Sequence, residues 1–247
     1  TGIALAALGN YYKKKVVIFM PDFVSEERKI LLKSFGAKLH LISKKDGGFV
    51  KCVKLAKEYA RKKDVLLINQ FSNKLNIDTH YNTTAKEILN KLNNIGGFVS
   101  GVGSGGTLMG VTNRLKEVFP NLKVALVEPK NSEIINKNKV NSHKIEGIAD
   151  DFIPDNFKKE NITHYYSISD EDAITMSKML AKELGLGVGI SSGANFLGSV
   201  LLNEDVNNVV TIFSDDNKKY LSILKDDVFI KQDYISNDIK LLDYEVV

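Results

Sequence analysis

The sequence has few of the residues that build covalent and metal-based scaffolds. Its 247 residues include one cysteine, Cys52, and no tryptophan. One cysteine cannot form an internal disulfide or a cysteine-rich zinc site. The histidines (His40, His80, His143 and His164) show no spacing typical of metal ligands, and we expect no metal. Cys52 lies in a lysine-rich helical stretch without a nearby histidine motif, which indicates a buried or half-buried thiol rather than a nucleophile.

Long apolar runs are also absent. Apolar runs such as residues 16–20 and 65–68 fall far short of the roughly 20 apolar residues that cross a bilayer, so we expect no membrane association. No secretory signal pattern is visible, and together with the single cysteine this favours a reducing cytoplasm. The 43% hydrophobic and 26% charged residues are typical of an ordinary globular protein.

Neither sign of charge is concentrated in one place. The formal net charge of +4 comes from scattered lysines, such as Lys51, Lys54 and Lys57 on the polar side of one helical pattern. A nucleic-acid surface would need clustered basic residues with interleaved aromatic side chains. The pattern therefore indicates a solvated face, and we expect no nucleic-acid partner.

Apolar β-branched runs alternate with helical periodicity along the chain. The predicted strands are 16–20, 38–42, 65–68, 97–102, 123–127 and 208–213. The predicted helices are 1–8, 25–35, 49–62, 83–92, 107–118, 169–184 and one that follows Gly193, and 131–163 is expected to be loop-rich. This alternation predicts an α/β protein with parallel sheets covered on both faces.

The first residues predict a helix with Thr1 as its N-cap and nothing before it to fix the entry angle. We therefore expect the chain to begin inside a domain whose N-terminal part is truncated. The predicted organisation is a smaller, incomplete N-terminal α/β domain at 1–75, a larger α/β domain with the glycine loop at 76–225, and a charged tail at 226–247 without a catalytic role.

The most informative motif is a glycine-rich loop between a predicted strand and a predicted helix. It reads Gly-Val-Gly-Ser-Gly-Gly-Thr at 101–107. Backbone N–H groups of such a loop converge where the helix dipole favours an anion, and the hydroxyls of Ser104 and Thr107 add donors. A tight glycine turn without a ligand is the alternative. The loop lacks the Gly-Lys-Ser/Thr ending of a nucleotide P-loop, so NTP binding is not supported.

Segment 100–108 resembles the one that holds the cofactor phosphate in the cysteine synthase and cystathionine β-synthase family, the second fold type of pyridoxal-phosphate enzymes. Further matching segments follow in the family's order, at 1–4, 70–73, 127–129, 147–154, 189–194 and 219–222. Several independent matches are much harder to obtain by chance than one. The resemblance implies two open, mostly parallel sheets flanked by helices, as in the tryptophan synthase β fold.

The resemblance also implies a cofactor, pyridoxal 5′-phosphate, and roles for particular residues. The phosphate would be bound by Gly103, Ser104, Gly105, Gly106 and Thr107. The amino-acid substrate would be bound by Thr1, Gln70, Phe71 and Gly147. The Schiff-base lysine of the family belongs to a segment upstream of Thr1, and no lysine in this sequence lies on a matching motif.

Two departures from the family pattern concern aspartates. Where the family places a serine or threonine against the pyridine nitrogen, this sequence aligns Asp216, and a shift of one or two residues would offer Ser214 instead. In the loop after Gly147, Asp151 matches an aspartate of cystathionine β-synthases, whereas Asp150 occupies a more variable position that faces the substrate entrance. Asp150 is our candidate base for activating water, and a solvated loop aspartate is the alternative.

The resulting hypothesis is a lyase or transferase that acts on the Cβ–S or Cβ–O bond of a three-carbon amino acid. The specific version releases hydrogen sulfide from cysteine, with water as acceptor, to give serine. Cysteine synthesis from O-acetylserine and cystathionine formation are the enzymatic alternatives, and a non-catalytic fragment is the alternative from another class. A dinucleotide-binding oxidoreductase fits the glycine spacing, but Glu128 lies in a Val-Glu-Pro segment of the cysteine synthase family. The family resemblance also implies a homodimer.

Overall fold

The computed structural model of the protein describes residues 1–225, 231–241 and 243–246. Within that part, no helix is both long enough and apolar enough to span a membrane. The chain divides into two compact units: unit 1 is Thr1–Gln70 with Lys218–Asp226, and unit 2 is Phe71–Asn217 with Asp227–Val247. This division differs from the predicted domains, which stay predictions, because 71–75 falls in unit 2 and 218–225 in unit 1. Part of the predicted tail, 226–230, 242 and 247, lies outside the described residues.

Helices and strands alternate through both units. In chain order they are α1 (Gly2–Tyr11), β1 (Val17–Pro21), α2 (Glu26–Ser34), β2 (Lys38–Ile42), α3 (Gly48–Tyr59), α4 (Lys74–Asn82), α5 (Thr84–Lys91), β3 (Gly97–Gly101), α6 (Gly106–Val118), β4 (Lys123–Pro129), α7 (Ile134–Lys137), β5 (His164–Ile168), α8 (Asp170–Leu184), α9 (Ile190–Asn203), β6 (Val209–Thr211) and α10 (Leu221–Leu224).

Unit 1 contains a two-stranded parallel sheet. β1 and β2 pair in register from Val17 opposite Lys38 to Pro21 opposite Ile42. Helix α2 connects them and ends at Ser34, after which Gly36 adopts a left-handed φ of +75° that turns the chain towards β2. The small core of this unit is built on Ala6, Met20, Leu32 and Ala37.

One predicted strand of unit 1 is wrong. Residues 65–68 form no strand, and Leu66 is 83% exposed, with Val65 and Ile68 at 36% and 37%. The β-branched run has the composition of a buried strand, but none of the described strands pairs with it. The amino-acid composition of a segment indicates that it would favour a strand once it is paired. Whether it pairs depends on a neighbouring strand, which the composition does not show.

Unit 2 contains a four-stranded sheet in which all neighbours are parallel, in the order β5-β4-β3-β6. The chain moves outwards from β3 to β4 and β5 and then returns to place β6 on the other side of β3. Strand order therefore reverses beside β3, and open α/β sheets bind ligands beyond the carboxyl ends of the strands at such a switch point. The two parallel sheets with flanking helices confirm the predicted fold class.

Three elements of unit 2 escaped the sequence patterns. Helix α4 has no buried residue, so apolar periodicity gives no signal for it. Strand β5 and the short helix α7 lie within or beside the stretch expected to be loop-rich.

Helix α9 begins at Ile190, before Gly193, so the Ser191-Ser192-Gly193 segment forms its first turn rather than a preceding turn. Ser169 caps α8 by accepting the N–H of Asp172 at 3.2 Å.

The core of unit 2 fixes β3, β4 and α6 against each other. Its fully buried side chains include Phe98, Leu108, Met109, Leu115, Val124 and Leu126. Each such side chain contributes about 1.5–3 kcal/mol by burial. The core therefore fixes both ends of the loop that runs from β3 into α6.

Candidate functional site

The glycine loop leaves the carboxyl end of β3 and turns directly into α6. Gly105 precedes the helix with a φ of +83°, a left-handed conformation that glycine adopts at little cost. A Cβ on Gly103 would meet the backbone carbonyl of Gly147. The first N–H groups of an α-helix have no acceptor within the helix, so those of α6 open towards the loop. The predicted strand–loop–helix arrangement is therefore present.

Two asparagine side chains hold the loop. Asn76 donates from Nδ2 to the hydroxyl of Ser104 at 2.8 Å, and a Cβ on Gly106 would collide with the same amide. Asn156, 4% exposed, donates to the carbonyl of Ser104 at 3.1 Å. Because the Ser104 oxygen accepts a hydrogen bond from Asn76, its own proton remains available to a ligand.

A histidine supports the last residue of the loop. The Thr107 hydroxyl lies 3.1 Å from Nε2 of His80, and Nδ1 of His80 lies 3.0 Å from the hydroxyl of Thr84. Burial lowers the pKa of His80, which favours the neutral imidazole. A neutral ring donates from one nitrogen and accepts at the other, so it orders both hydroxyls. Sequence patterns missed this role because His80 lies on α4, the helix without apolar periodicity.

Where the strand order reverses, the side chain of Asn195 on α9 links β3 and β6 just beyond the last residues through which these two strands pair. Its side-chain oxygen accepts the N–H of Gly101 at 2.8 Å, and its nitrogen donates to the carbonyl of Ile212 at 2.9 Å. The side chain is 2% exposed. The loops after β3 and β6 therefore leave the sheet at a fixed separation. An asparagine inside an apolar helix was the sequence signal for this role.

The loop that carries Asp150 packs directly on the strand end and the glycine loop. Ala149 donates its N–H to the carbonyl of Val102 at 2.8 Å. A Cβ on Gly101 would meet the side chain of Ile148, just as a Cβ on Gly103 would meet the Gly147 carbonyl. Asp150 is half-buried, and its carbonyl accepts the N–H of Phe152. The structure thus brings Gly147 and Asp150 beside the glycine loop, as a ligand site would require.

Asp216 follows β6 and pairs with the segment that leads into α9. It forms an isolated antiparallel bridge with Val188, while the N–H of Gly189 bonds to the carbonyl of Asp215 at 3.0 Å. Both Asp216 and Ser214 are exposed. The loops after β3 and β6 leave neighbouring strands, so Asp216 and Ser214 share one sheet edge with the glycine loop.

The predicted substrate residues are divided between the units. Phe71, in unit 2, packs its ring edge-on against Phe152 at 4.8 Å between centroids, and its carbonyl accepts the N–H of Asn156 at 3.1 Å. Thr1 and Gln70 belong to unit 1. Thr1 precedes α1 without a side-chain capping bond, although its carbonyl accepts the N–H of Leu5 at 2.9 Å. Phe71 thus lies beside the loop of Asp150.

The donors assembled in unit 2 suit a phosphate monoester. They comprise N–H groups at a left-handed glycine and at a helix start, together with the hydroxyls of Ser104 and Thr107. A dianion at this position is favoured by the helix dipole, and the close approach of Gly147 leaves no room for a side chain on Gly103. In the part of the chain that the structure describes, no group of three or more metal-binding side chains lies together.

The sequence profile of the family described as "Pyridoxal-phosphate dependent enzyme" matches residues 1–215. Cysteine synthase B of Campylobacter jejuni is 38% identical over 225 residues, which cover 90% of this chain and 75% of that protein. The O-acetylserine dependent cystathionine beta-synthase of Bacillus subtilis is 35% identical over 229 residues, 90% of this chain and 73% of the other.

A solved structure extends the similarity to three dimensions. It is the hydrogen sulfide-producing enzyme Fn1055 of Fusobacterium nucleatum, in an aspartate-to-asparagine variant with an α-aminoacrylate intermediate. The two chains superpose with a TM-score of 0.95 at 47% sequence identity, over 98% of this chain and 75% of the other. This similarity extends over nearly the whole chain.

Proposed function

Because this chain belongs to the cysteine synthase family of pyridoxal-phosphate-dependent enzymes, we propose that it releases hydrogen sulfide from cysteine and adds water to the β-carbon to give serine. Cysteine and water thereby become serine and hydrogen sulfide, with no oxidant or reductant required. The family membership makes the chain an enzyme of cysteine or O-acetylserine metabolism, with pyridoxal 5′-phosphate as its cofactor, rather than a non-catalytic relative.

The residues of the glycine loop fit the cofactor's phosphate group. Gly103, Gly105 and Gly106 would contribute backbone N–H groups, and Ser104 and Thr107 hydroxyl protons. When bound, the cofactor supplies the electron sink that lets the α-proton and the β-substituent of the substrate leave. The amino acid would be held by Thr1, Gln70, Phe71 and Gly147. Thr1 and Gln70 would bind its carboxylate, and Phe71 would form a wall of the pocket.

At the far edge of the cofactor we propose that Asp216 faces the ring nitrogen. A carboxylate there would keep the nitrogen protonated and so strengthen the electron sink. Asp216 lies in the loop that follows β6, and β6 pairs with β3, the strand that leads into the glycine loop; this position supports the role. Ser214 occupies the same loop and is the alternative donor.

One observation carries the choice of water as acceptor. Asp150 directly follows Ala149, whose N–H is bonded to Val102 at the entrance of the glycine loop. A carboxylate in that position can take a proton from a water molecule that attacks the β-carbon. The hydrogen sulfide-producing relative, at 47% identity, supports the same substrate for this chain.

The test uses the full-length holoenzyme with cysteine as the only thiol. We expect sulfide and serine in equal amounts from the wild type. In Asp150→Asn, the rate of serine formation should fall about 100-fold or more, as expected when a general base is lost. The neighbouring Asp151→Asn variant is the matched control and should retain serine formation. Equal serine yields from wild type and Asp150→Asn would remove Asp150 from the mechanism.

Two related reactions are the alternatives within the family. Cysteine synthase B and the O-acetylserine dependent cystathionine beta-synthase, at 38% and 35% identity, favour O-acetylserine as substrate with sulfide or a second thiol as acceptor. Competition of O-acetylserine and cysteine in one reaction mixture distinguishes them. Preferential consumption of O-acetylserine with no serine formed would favour one of these two reactions over the proposed release of sulfide from cysteine. The family resemblance supports a homodimer, which stays a prediction, as does the cytoplasmic location expected from the single cysteine.

A further inference from the structure

We propose that His143 is a positioning residue that holds the loop of Ala149 and Asp150 in its active shape, with Asp170 fixing the start of the same loop. The loop carries the candidate base, so this inference rests on the proposed function. Neither residue belongs to the glycine loop or to the residues to which we assign the substrate.

The loop contains a backbone conformation that needs support. Ala149 has a φ of +53°, in the left-handed region that disfavours residues with a Cβ. Gly147, two residues earlier, has a φ of +97° and is exposed. Such conformations persist where surrounding contacts over-determine them, and they cluster at functional sites. The strained alanine immediately precedes Asp150, so its geometry sets the direction of the chain at the candidate base.

His143 supplies a contact at that position. Its Nε2 lies 3.3 Å from the carbonyl of Ala149, an arrangement in which the ring nitrogen donates. The N–H of Ala149 bonds to Val102 on the other side. The backbone N–H and the carbonyl of Ala149 are therefore both hydrogen-bonded, the N–H to Val102 and the carbonyl to His143. At position 143, a side chain without a hydrogen-bond donor would leave the Ala149 carbonyl without this hydrogen bond.

Asp170 holds the other end of the loop. This residue is 7% exposed in the first turn of α8 and accepts the backbone N–H of Lys144, the neighbour of His143. Burial raises the pKa of Asp170, while the Lys144 N–H and the charge of a protonated His143 lower it. Among the described residues, Nδ1 of His143 and Oδ1 of Asp170 have no hydrogen-bond partner. The hydrogen bond between His143 and Ala149 thus closes the segment 143–149, and Asp170 of α8 holds the start of that segment.

The distinguishing readout is the ratio of serine to pyruvate formed from cysteine. Pyruvate, with ammonia and sulfide, results when elimination occurs and no water adds at the β-carbon. Partial unfolding lowers both products together, whereas a displaced Asp150 lowers serine alone. In His143→Leu we expect the ratio to fall about tenfold, since small misplacements of catalytic groups have effects of this size or larger. His143→Gln retains an N–H donor and should restore the ratio.

A second readout does not depend on turnover. Hydrogen–deuterium exchange of the 144–152 peptide, which contains the Ala149 amide, should accelerate in His143→Leu holoenzyme and not in His143→Gln. In an Ala149→Gly background the effect of His143→Leu should be about fivefold smaller, because glycine adopts the left-handed conformation without the penalty of a Cβ. His164→Leu, on β5 of the same unit, is the control for loss of a histidine and should leave both readouts unchanged.

The outcomes separate this inference from the proposed function. Faster exchange with an unchanged product ratio, or a lowered ratio that glutamine does not restore, would overturn it. If the wild type makes no serine, the proposed function fails, and the exchange experiment still decides whether His143 holds the loop. Unchanged exchange in His143→Leu would overturn the inference in either case.

Discussion

At the scale of single residues, glycine conformation and buried side-chain amides shape the phosphate loop. The left-handed Gly105 and the contact of Gly103 with Gly147 both require the absence of a Cβ. The glycine-rich composition of the loop was visible in the sequence. The amides of Asn76, Asn156 and Asn195 could not be predicted in the same way. Their roles depend on partners 28, 52 and 94 residues away, and no local pattern reports such distances.

A first prediction concerns Gly105. Replacing it by alanine forces a Cβ into a left-handed backbone, 3.3 Å from Cβ of Asn156. We expect about 1 kcal/mol loss of unfolding free energy from the backbone. We also expect about tenfold weaker binding of pyridoxal 5′-phosphate, as for one lost charge-assisted hydrogen bond. Binding of pyridoxal, which lacks the phosphate, should change less. Equilibrium dialysis with both compounds measures the difference.

Gly185 provides the matched control. It has a φ of +70° at the end of α8, and nothing lies within 4 Å of a Cβ built on it. Gly185→Ala should therefore lose a similar unfolding free energy while its cofactor affinity stays at the wild-type value. If both variants weakened cofactor binding equally, the loop would not be the phosphate site.

A second prediction concerns pH and His80. Burial lowers its pKa in the folded state, so the unfolded chain binds more protons near and below its ordinary pKa of about 6.5. The unfolding free energy should therefore rise with pH between the lowered folded pKa and about 6.5, and no further above it. In His80→Gln this part of the pH dependence should vanish. Urea unfolding across this range measures it, and identical pH profiles of the two proteins would contradict the burial argument.

At the scale of elements, apolar periodicity predicted the helices and strands that bury one face. Helices α2, α6 and α8 and strands β1 to β4 lie where those patterns placed them. Helix α4 has no such pattern: Asn73 caps it by accepting the Leu75 N–H at 3.0 Å, and Gly110 lets it approach α6, since a Cβ there would collide with Ile77 and His80. The prediction of a strand at 65–68 was wrong for the opposite reason. The apolar residues are there, but none of the described strands pairs with them.

The docking of the C-terminal segment on α8 gives a third prediction. The carboxylate of Asp172, 3% exposed, accepts the N–H groups of Ile235 and Ser236 at 3.0 and 3.1 Å. Asp172→Ala leaves both donors without this acceptor and should cost about 1–3 kcal/mol for a buried unsatisfied group. We expect faster hydrogen exchange in the 231–239 peptide. The exposed Asp238→Ala serves as control, and equal exchange in the two variants would show that the carboxylate does not hold the segment.

At the scale of the whole molecule, the family was predictable because its segments recur in one order from Thr1 to Ser222. The profile match over residues 1–215 and the TM-score of 0.95 confirm that prediction. The strand order β5-β4-β3-β6 was not predictable from any single segment, since it records long-range pairing. That order places the loops after β3 and β6 at one edge, where the fold favours a ligand.

The central claim is that water supplies the new β-substituent. The most direct measurement is turnover of cysteine by the full-length holoenzyme in water enriched in oxygen-18, with no second thiol, followed by mass spectrometry of the serine side chain. We predict serine whose hydroxyl oxygen carries the label, formed in step with sulfide. Sulfide release without labelled serine would contradict the claim.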